Sequence, residues 1–258
     1  MRIATWNVNS LKARISRVEE WLAYAQPDVL CMQETKLADS AFPALAFAAL
    51  GYEAAHCGQG QWNGVAILSK VGLEDVMAGF SDQAEDETTE ARLLWATCGG
   101  VRVASVYVPN GRSVGSEFYE AKLAWLDRLL THVRRDCDPA GPLAICGDFN
   151  VAPDDRDVWD PTKLHGGTHV SEPERQAVRD LCEWGLVDAF RTRYDDSGLY
   201  SWWDYRAGDF HQGRGLRIDL VLVTKILADR ASYALIDRFA RKGKLPSDHA
   251  PLLVDFDL

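Results

Sequence analysis

Short apolar runs that each stop at a carboxylate, an amide or a phenol recur along this chain. They constrain its fold more than any bulk property. Ile3–Trp6 runs into Asn7, Val29–Met32 into Gln33 and Glu34, and Val103–Val106 into Tyr107. Leu143–Cys146 delivers Gly147-Asp148-Phe149-Asn150, Asp219 lies inside a late apolar run, and Ser247-Asp248-His249 precedes the last one. An uninterrupted apolar run of about four to eight residues is the pattern of a strand buried on both faces. Such strands need covering layers on either side, so the chain requires helices between them.

The intervening segments supply those helices. Leu11–Tyr24 carries Leu11, Ile15, Val18 and Leu22 at helical spacing, and Phe42–Leu50 reads as a helix stopped by Gly51. The clearest helix is Glu117–Val133, with Phe118, Leu123, Leu126, Leu129 and Leu130 mostly on one side, and Arg175–Trp184 follows. Further strands are expected at Arg2–Trp6, Val65–Leu68, Leu93–Ala96, Val101–Val108, Leu216–Val223 and Leu252–Phe256. Val151 to Glu172 is the longest irregular stretch, rich in Asp, Pro and Gly, and a loop of that length usually has a functional reason. Linkers are short and no Pro- or Ser-rich boundary divides the chain. The expectation is one α/β domain over residues 1–258.

Composition narrows the setting. A chain of 258 residues that is 47% hydrophobic can bury a large core. No run approaches the roughly 18 apolar residues of a membrane span, and the first ten residues do not read as a signal peptide. A cytoplasmic monomer is therefore the expectation. The six cysteines are scattered without a CxxC pair and read as reduced core residues. The net charge of −10 argues against a nonspecific nucleic-acid binder. A local site needs only nearby Lys and Arg, and bound cations contribute positive charge of their own.

Polar side chains at rigid strand ends can converge on one cleft. Glu34, Asp148, Asn150 and Asp248 together would form an oxygen-rich cluster suited to a hard cation, Mg²⁺ or Mn²⁺. Taken singly, each has an ordinary structural reading. Asp148 after a strand is a common turn or capping residue. Asn7-Val8-Asn9-Ser10 can cap the helix at Leu11, Tyr107 can be a packed strand aromatic, and Asn63 in Asn63-Gly64 can be a turn residue. The joint occurrence of all these segments, in order, favours a site.

At this level the sequence resembles the exonuclease III family of DNA-repair nucleases, within the endonuclease/exonuclease/phosphatase superfamily. The resemblance rests on Trp6-Asn7-Val8-Asn9, Gln33-Glu34-Thr35-Lys36, Tyr107-Val108-Pro109-Asn110-Gly111 and Gly147-Asp148-Phe149-Asn150. It continues through Ser201-Trp202-Trp203-Asp204-Tyr205-Arg206, Arg217-Ile218-Asp219-Leu220 and Ser247-Asp248-His249-Ala250-Pro251, so it spans the chain. Gly-Asp-x-Asn and Ser-Asp-His specify phosphoesterase chemistry in general, whereas Gln-Glu-Thr-Lys and Trp-Trp-Asp-Tyr-Arg point to the DNA-acting branch.

The resemblance implies a four-layer α/β sandwich, two β-sheets packed face to face between helices. It implies Glu34 as principal Mg²⁺ ligand, with Asp248, Asn7 and the Asp148/Asn150 pair close by. It makes Asp148 the group that orients and deprotonates water, held by Asn7, with Asn150 on a phosphate oxygen. Tyr107 would hydrogen-bond the scissile phosphate, and His249, oriented by Asp219, would neutralise charge on a non-bridging oxygen. Lys36, Asn110, Arg112 and Arg206 are the candidate DNA contacts, and Trp202 and Leu216 the walls of a pocket for an abasic deoxyribose, with Trp203 expected in the core. The implied substrate is double-stranded DNA with abasic sites or blocked 3′ ends. Two alternatives stand beside it: a superfamily phosphoesterase acting on lipid or inositol phosphates, and an inactive DNA-binding module.

Overall fold

The computed structural model describes residues 1–81 and 90–258. Twelve strands form two six-stranded sheets. The first sheet contains β1 (Arg2–Asn7), β2 (Val29–Gln33), β3 (Glu53–Cys57), β4 (Val65–Ser69), β11 (Ala231–Ile236) and β12 (Leu252–Phe256). The second contains β5 (Glu74–Ala78), β6 (Leu93–Cys98), β7 (Val101–Tyr107), β8 (Leu143–Asp148), β9 (Leu186–Asp188) and β10 (Asp219–Thr224). Their orders are β11-β12-β1-β2-β4-β3 and β5-β6-β7-β8-β10-β9. Each sheet is mixed, with one parallel pair at its middle, β1 with β2 and β7 with β8. The helices are α1 (Leu11–Ala25), α2 (Ala44–Ala49), α3 (Glu117–Asp136), α4 (Pro161–Leu164), α5 (Glu172–Trp184), α6 (Asp209–Gln212) and α7 (Lys225–Ala228).

Period-two alternation assigns each central strand residue to one of two apolar layers. In β1, Ile3 faces the opposite sheet with Val29, Cys31, Ile67, Val103, Ala144, Cys146 and Val221, whereas Ala4 and Trp6 face α1 through Val18, Trp21 and Leu22. In β8, Ala144 and Cys146 point inward, while Ile145 packs outward on Leu126, Leu129 and Val133 of α3 and on Leu181 of α5. Three apolar layers between four tiers follow, the four-layer α/β sandwich expected from the resemblance. All six cysteines are free. Trp203 is fully buried. No helix among the described residues is long and apolar enough to cross a membrane.

Several boundaries differ from the sequence reading. Strands β3, β5, β9 and β11 were not foreseen, because each is an edge strand with at most half of its residues buried, without the apolar run that marks a central strand. The strand expected from Leu216 begins only at Asp219. Leu216 instead bridges Val158 and Trp202, and the Arg217 amide donates to the Asp157 carbonyl. Helix α3 turns its buried side through Tyr119, Lys122, Leu126, Leu129 and Val133, leaving Phe118 exposed beneath the Arg112 guanidinium at 3.6 Å. The stretch 151–172 is not structureless. It holds α4 and a 3₁₀ turn at Asp155–Asp157, and Val158, Val170 and Ala152 pack with Leu216 and Ile218.

A buried ion cluster fixes that stretch. Asp157 accepts from Arg217 Nε at 2.6 Å and from Arg191, and Arg217 Nη2 lies 2.7 Å from Asp188 Oδ2. Burial raises the Asp157 carboxyl, but the two guanidinium groups outweigh it and hold it below the usual range. A depressed folded pKa stabilises above the unfolded value, near 3.9, and is lost as pH falls through the folded value. Removing one partner leaves buried charge uncompensated. Asp157→Asn should therefore cost about 3 kcal/mol at pH 7. Thermal denaturation should show the deficit shrinking below about pH 4, where the carboxylate of the unfolded chain begins to protonate before the folded one.

Candidate active site

Strand register assembles the centre. Tyr107, Asp148 and Asp219 occupy one rung across β7, β8 and β10, and Asn7 sits at the matching end of β1 opposite Gln33. The neighbouring Gly147 is required by close approach, since a Cβ there would stand 1.9 Å from the Val106 carbonyl oxygen. After β8 the chain turns sharply. The Asn150 amide donates to Asp148 Oδ1 at 2.9 Å, buried Phe149 anchors the turn, and Asn150 takes φ +52°. Glu34, just past β2, also lies in the left-handed region at +51°. Asparagine tolerates that region, whereas a glutamate there is strained and marks a constrained site.

Hydrogen bonds join these ends into one network. Asn7 Nδ2 donates at 2.9 Å both to Glu34 Oε1 and to Asp148 Oδ2. His249 Nδ1 lies 2.8 Å from Asp219 Oδ2, and its Nε2 is 3.7 Å from Asp148 Oδ2. The Asp219 contact places the imidazole proton on Nδ1 and aims Nε2 at the centre. Asp148, Asp219 and His249 offer ligand atoms within 4.8 Å of one another. Asp248 is turned toward other donors, with Oδ1 accepting from Asn9 and Oδ2 from the Trp202 indole at 3.1 Å. It connects to Glu34 through Asn9 and Lys36, whose ammonium bonds Asn9 Oδ1 at 2.6 Å and Glu34 Oε2 at 2.8 Å.

The electrostatics describe a buried, charge-dense pocket. Burial pushes the Asp148 carboxyl up to about 7; His249 and the Asn7 amide oppose the rise, and the Asp219 and Glu34 charges add to it. Burial pulls the His249 imidazole down, yet Asp219 and Asp148 outweigh it and carry it to about 10. Tyr107 is raised far above the usual phenol range by burial and by Glu34 and Asp148, so it stays a hydrogen-bond donor. The Arg92 guanidinium covers its ring at 4.7 Å. Asp219 Oδ1 is buried without a hydrogen-bond partner. An orphaned carboxylate oxygen in a cluster of carboxylates and amides fits a hard divalent cation, whose charge would favour the Asp148 carboxylate against the burial that raises it.

The expected substrate contacts divide. Asn110 donates to Asn150 Oδ1 at 3.2 Å, and Lys36 reaches Glu34, so both border the centre. Arg112 stacks on Phe118, next to Asn110. Arg206 lies on an exposed turn, ion-paired with Asp204 at 3.1 Å. Trp202 and Leu216 share backbone hydrogen bonds, and Trp202 also bridges to His249, so this apolar pair adjoins the segment that carries the imidazole. Asn63 is buried with φ +51° and donates to Gln59 and Glu90.

Other site residues were given no role by sequence reasoning. Ser201 Oγ donates to Asp219 Oδ2 at 2.6 Å, and Ser247 Oγ to the Asn7 carbonyl at 2.6 Å. Lys122 is buried, ion-paired with Glu174, and donates to the Asn150 carbonyl at 2.6 Å. His169 Nδ1 contacts the same carbonyl at 2.6 Å. Lys122 was detectable in principle, because it stands at helical spacing from Tyr119, Leu126 and Leu129 on the buried side of α3. Nothing in the local sequence marks His169, which arrives from the stretch 151–172.

Comparison with known proteins agrees with this geometry. The model of the endonuclease/exonuclease/phosphatase family matches residues 4–249. The chain is similar to exodeoxyribonuclease III of Haemophilus influenzae, at 35% identity over 99% of this chain and 100% of the relative. It is also similar to an exodeoxyribonuclease of Bacillus subtilis, at 33% identity over 98% of each. Among solved structures, a Neisseria 3′ phosphatase bound to its product DNA hairpin superposes with a TM-score of 0.96 at 39% identity, covering 100% of both chains. An AP endonuclease from Archaeoglobus fulgidus gives 0.95 at 39% identity with the same coverage. With its buried Asp148–Asn7–Glu34 and Asp219–His249 network on this sandwich, the chain belongs to the exonuclease III branch of the endonuclease/exonuclease/phosphatase family.

Proposed function

We propose that this protein is a DNA-repair phosphodiesterase of exonuclease III type, dependent on Mg²⁺, with Mn²⁺ as a substitute. Its substrate would be duplex DNA with abasic sites or blocked 3′ ends, and its activities incision 5′ to an abasic site, 3′→5′ exonuclease action and removal of 3′ phosphates. The observation that carries this reading is the pairing of two differently tuned groups 3.7 Å apart, a carboxyl raised to about 7 on Asp148 and an imidazole raised to about 10 on His249. Near neutrality one can take a proton while the other stays charged. The relatives named for action on DNA support the choice of DNA over a lipid or inositol phosphate.

The chemistry follows from these residues. Asp148, held by Asn7 and the Asn150 amide, orients a water and accepts its proton as the oxygen attacks phosphorus. The P–O3′ bond breaks on the opposite side, the departing 3′ oxygen is protonated by solvent, and a 3′ hydroxyl and a 5′ phosphate result. The His249 imidazolium, fixed by Asp219, and the Tyr107 hydroxyl face the charge that grows on the non-bridging oxygens. Asn150 is held for phosphate by Val108 and Asn110. A bound Mg²⁺, with Glu34 as principal ligand, Asp148, Asn150 and Asn7 around it, and Asp248 behind them through Asn9 and Lys36, would supply further positive charge to the phosphate. The wall of Trp202 and Leu216 would accept a sugar lacking its base, the nucleotide that costs least to extrude.

Cleavage of a 5′-labelled duplex carrying one abasic analogue, beside recessed and 3′-phosphorylated duplexes, tests the reading. Wild type should cut with Mg²⁺ and not with EDTA. Asp148→Asn should lower turnover by about a thousandfold without a matching loss of DNA affinity. Trimming of 3′ ends without incision at the lesion would remove the abasic substrate and keep the 3′-end activities; no product from any DNA, with turnover of a small phosphoester, would sink the DNA assignment.

Charge also sets the pH profile. Protonation silences Asp148 and deprotonation silences His249, so kcat/KM should rise through an acid limb at or below pH 7 and fall through an alkaline limb near pH 10. Raising Mg²⁺ should move the acid limb further down, since a cation favours the carboxylate. A flat profile between pH 5 and 9 at limiting Mg²⁺ would contradict the assignment.

A further inference from the structure

We propose that Thr35, His56 and Asp39 form a positioning chain that holds the turn carrying Glu34, and so keeps its carboxylate ready for the metal. None of the three has a role in the chemistry above, and the inference rests on the metal-binding role given there to Glu34.

Glu34 and Lys36 both take left-handed φ, +51° and +52°, with Thr35 between them. Such backbone persists only where its surroundings over-determine it. Four backbone bonds hold this turn from outside its own strand: Thr35 N to Gly64 O, Lys36 N to Asn63 O, Ser10 N to Glu34 O and Leu11 N to Thr35 O. The side-chain restraint is on Thr35, fully buried, whose Oγ1 lies 2.8 Å from His56 Nε2. His56 stands on β3, paired with Ala66, and its ring stacks on Phe42 at 4.3 Å. Its Nδ1 is 2.7 Å from Asp39 Oδ1, which also accepts the Gly58 amide at 2.8 Å.

Each link sets the next. Burial holds the His56 imidazole below its usual range against the pull of Asp39, so the ring is neutral. The Asp39 carboxylate 2.7 Å from Nδ1 favours a proton there by charge, although that nitrogen makes no hydrogen bond, and Nε2 then serves as acceptor for the Thr35 hydroxyl. Two glycines leave the chain no slack. A Cβ on Gly64 would stand 2.1 Å from Thr35 Oγ1, and one on Gly58 would stand 2.3 Å from His56 Cε1. This is the arrangement by which groups behind a ligand tune its hold on a metal.

The test uses Thr35→Val, which keeps shape and loses the hydroxyl, Thr35→Ser, which keeps the hydroxyl, and His56→Gln. Mn²⁺ binding to DNA-free protein by EPR titration is read beside the half-saturating Mg²⁺ for DNA cleavage and the thermal midpoint. Thr35→Val and His56→Gln should weaken Mn²⁺ binding roughly tenfold and raise the half-saturating Mg²⁺ by the same factor. Turnover at saturating metal should fall far less, and Thr35→Ser should bind as wild type does. Wild-type Mn²⁺ affinity in folded Thr35→Val overturns the proposal. So does an equal loss in Thr35→Ser, or a loss that only tracks the thermal midpoint. If wild type binds Mn²⁺ but cuts no DNA, the nuclease reading fails, and this inference is still decided by the Mn²⁺ titrations alone.

Discussion

The two protons of the Asn7 side-chain amide are divided between Glu34, carried by the first sheet, and Asp148, carried by the second. This one fully buried group ties the sheets together at the end where every chemical residue emerges. Without it two carboxylates would face each other out of water, a costly arrangement. With it they are held at a fixed distance and still share enough negative charge to raise Asp148 and to invite a cation. The Ser247 hydroxyl on the Asn7 carbonyl and the Trp6 indole on the His249 carbonyl stitch the last loop to the same strand.

The acidity of the chain and its proposed partner are reconciled at this point. A net charge of −10 repels DNA at long range, so attraction must be local. The centre concentrates acidic groups that a divalent ion would offset, with Lys36, Asn110 and Arg112 beside it. Three further basic side chains are neutralised inside the protein. Arg217 and Arg191 are buried on Asp157, and Lys122 on Glu174. These pairs fix the stretch 151–172 and the carbonyl of Asn150, so they act on the site through geometry.

The apolar wall beside His249 depends on the same stretch. Leu216 leaves its strand to pair with Trp202, and Val158, Val170 and Ala152 close beneath them. Trp202 is further fixed by its indole bond to Asp248, so the acid of Ser-Asp-His and the tryptophan of Trp-Trp-Asp-Tyr-Arg form one unit. A change in the stretch 151–172 can alter the pocket wall without touching a catalytic group, which separates tuning of the substrate from the chemistry.

The sequence by itself determined the central strands, because burial on both faces leaves uninterrupted apolar runs such as Leu143–Cys146. It also determined which residues stand at their ends, while the chemistry of Glu34, Tyr107, Asp148, Asp219 and His249 was implied by the resemblance of those segments to a known family. Edge strands β3, β5, β9 and β11 were not legible, since a half-exposed edge carries no such run. Tertiary structure alone decided the pairings between distant segments. It set Asn7 between two sheets, turned Asp248 toward Trp202 and Asn9, placed Lys122 and His169 behind Asn150, and backed Glu34 with His56. Periodicity along a chain reports which face of an element is buried. It carries no information about which buried polar group a residue from another element will meet, and that meeting is where this site is made.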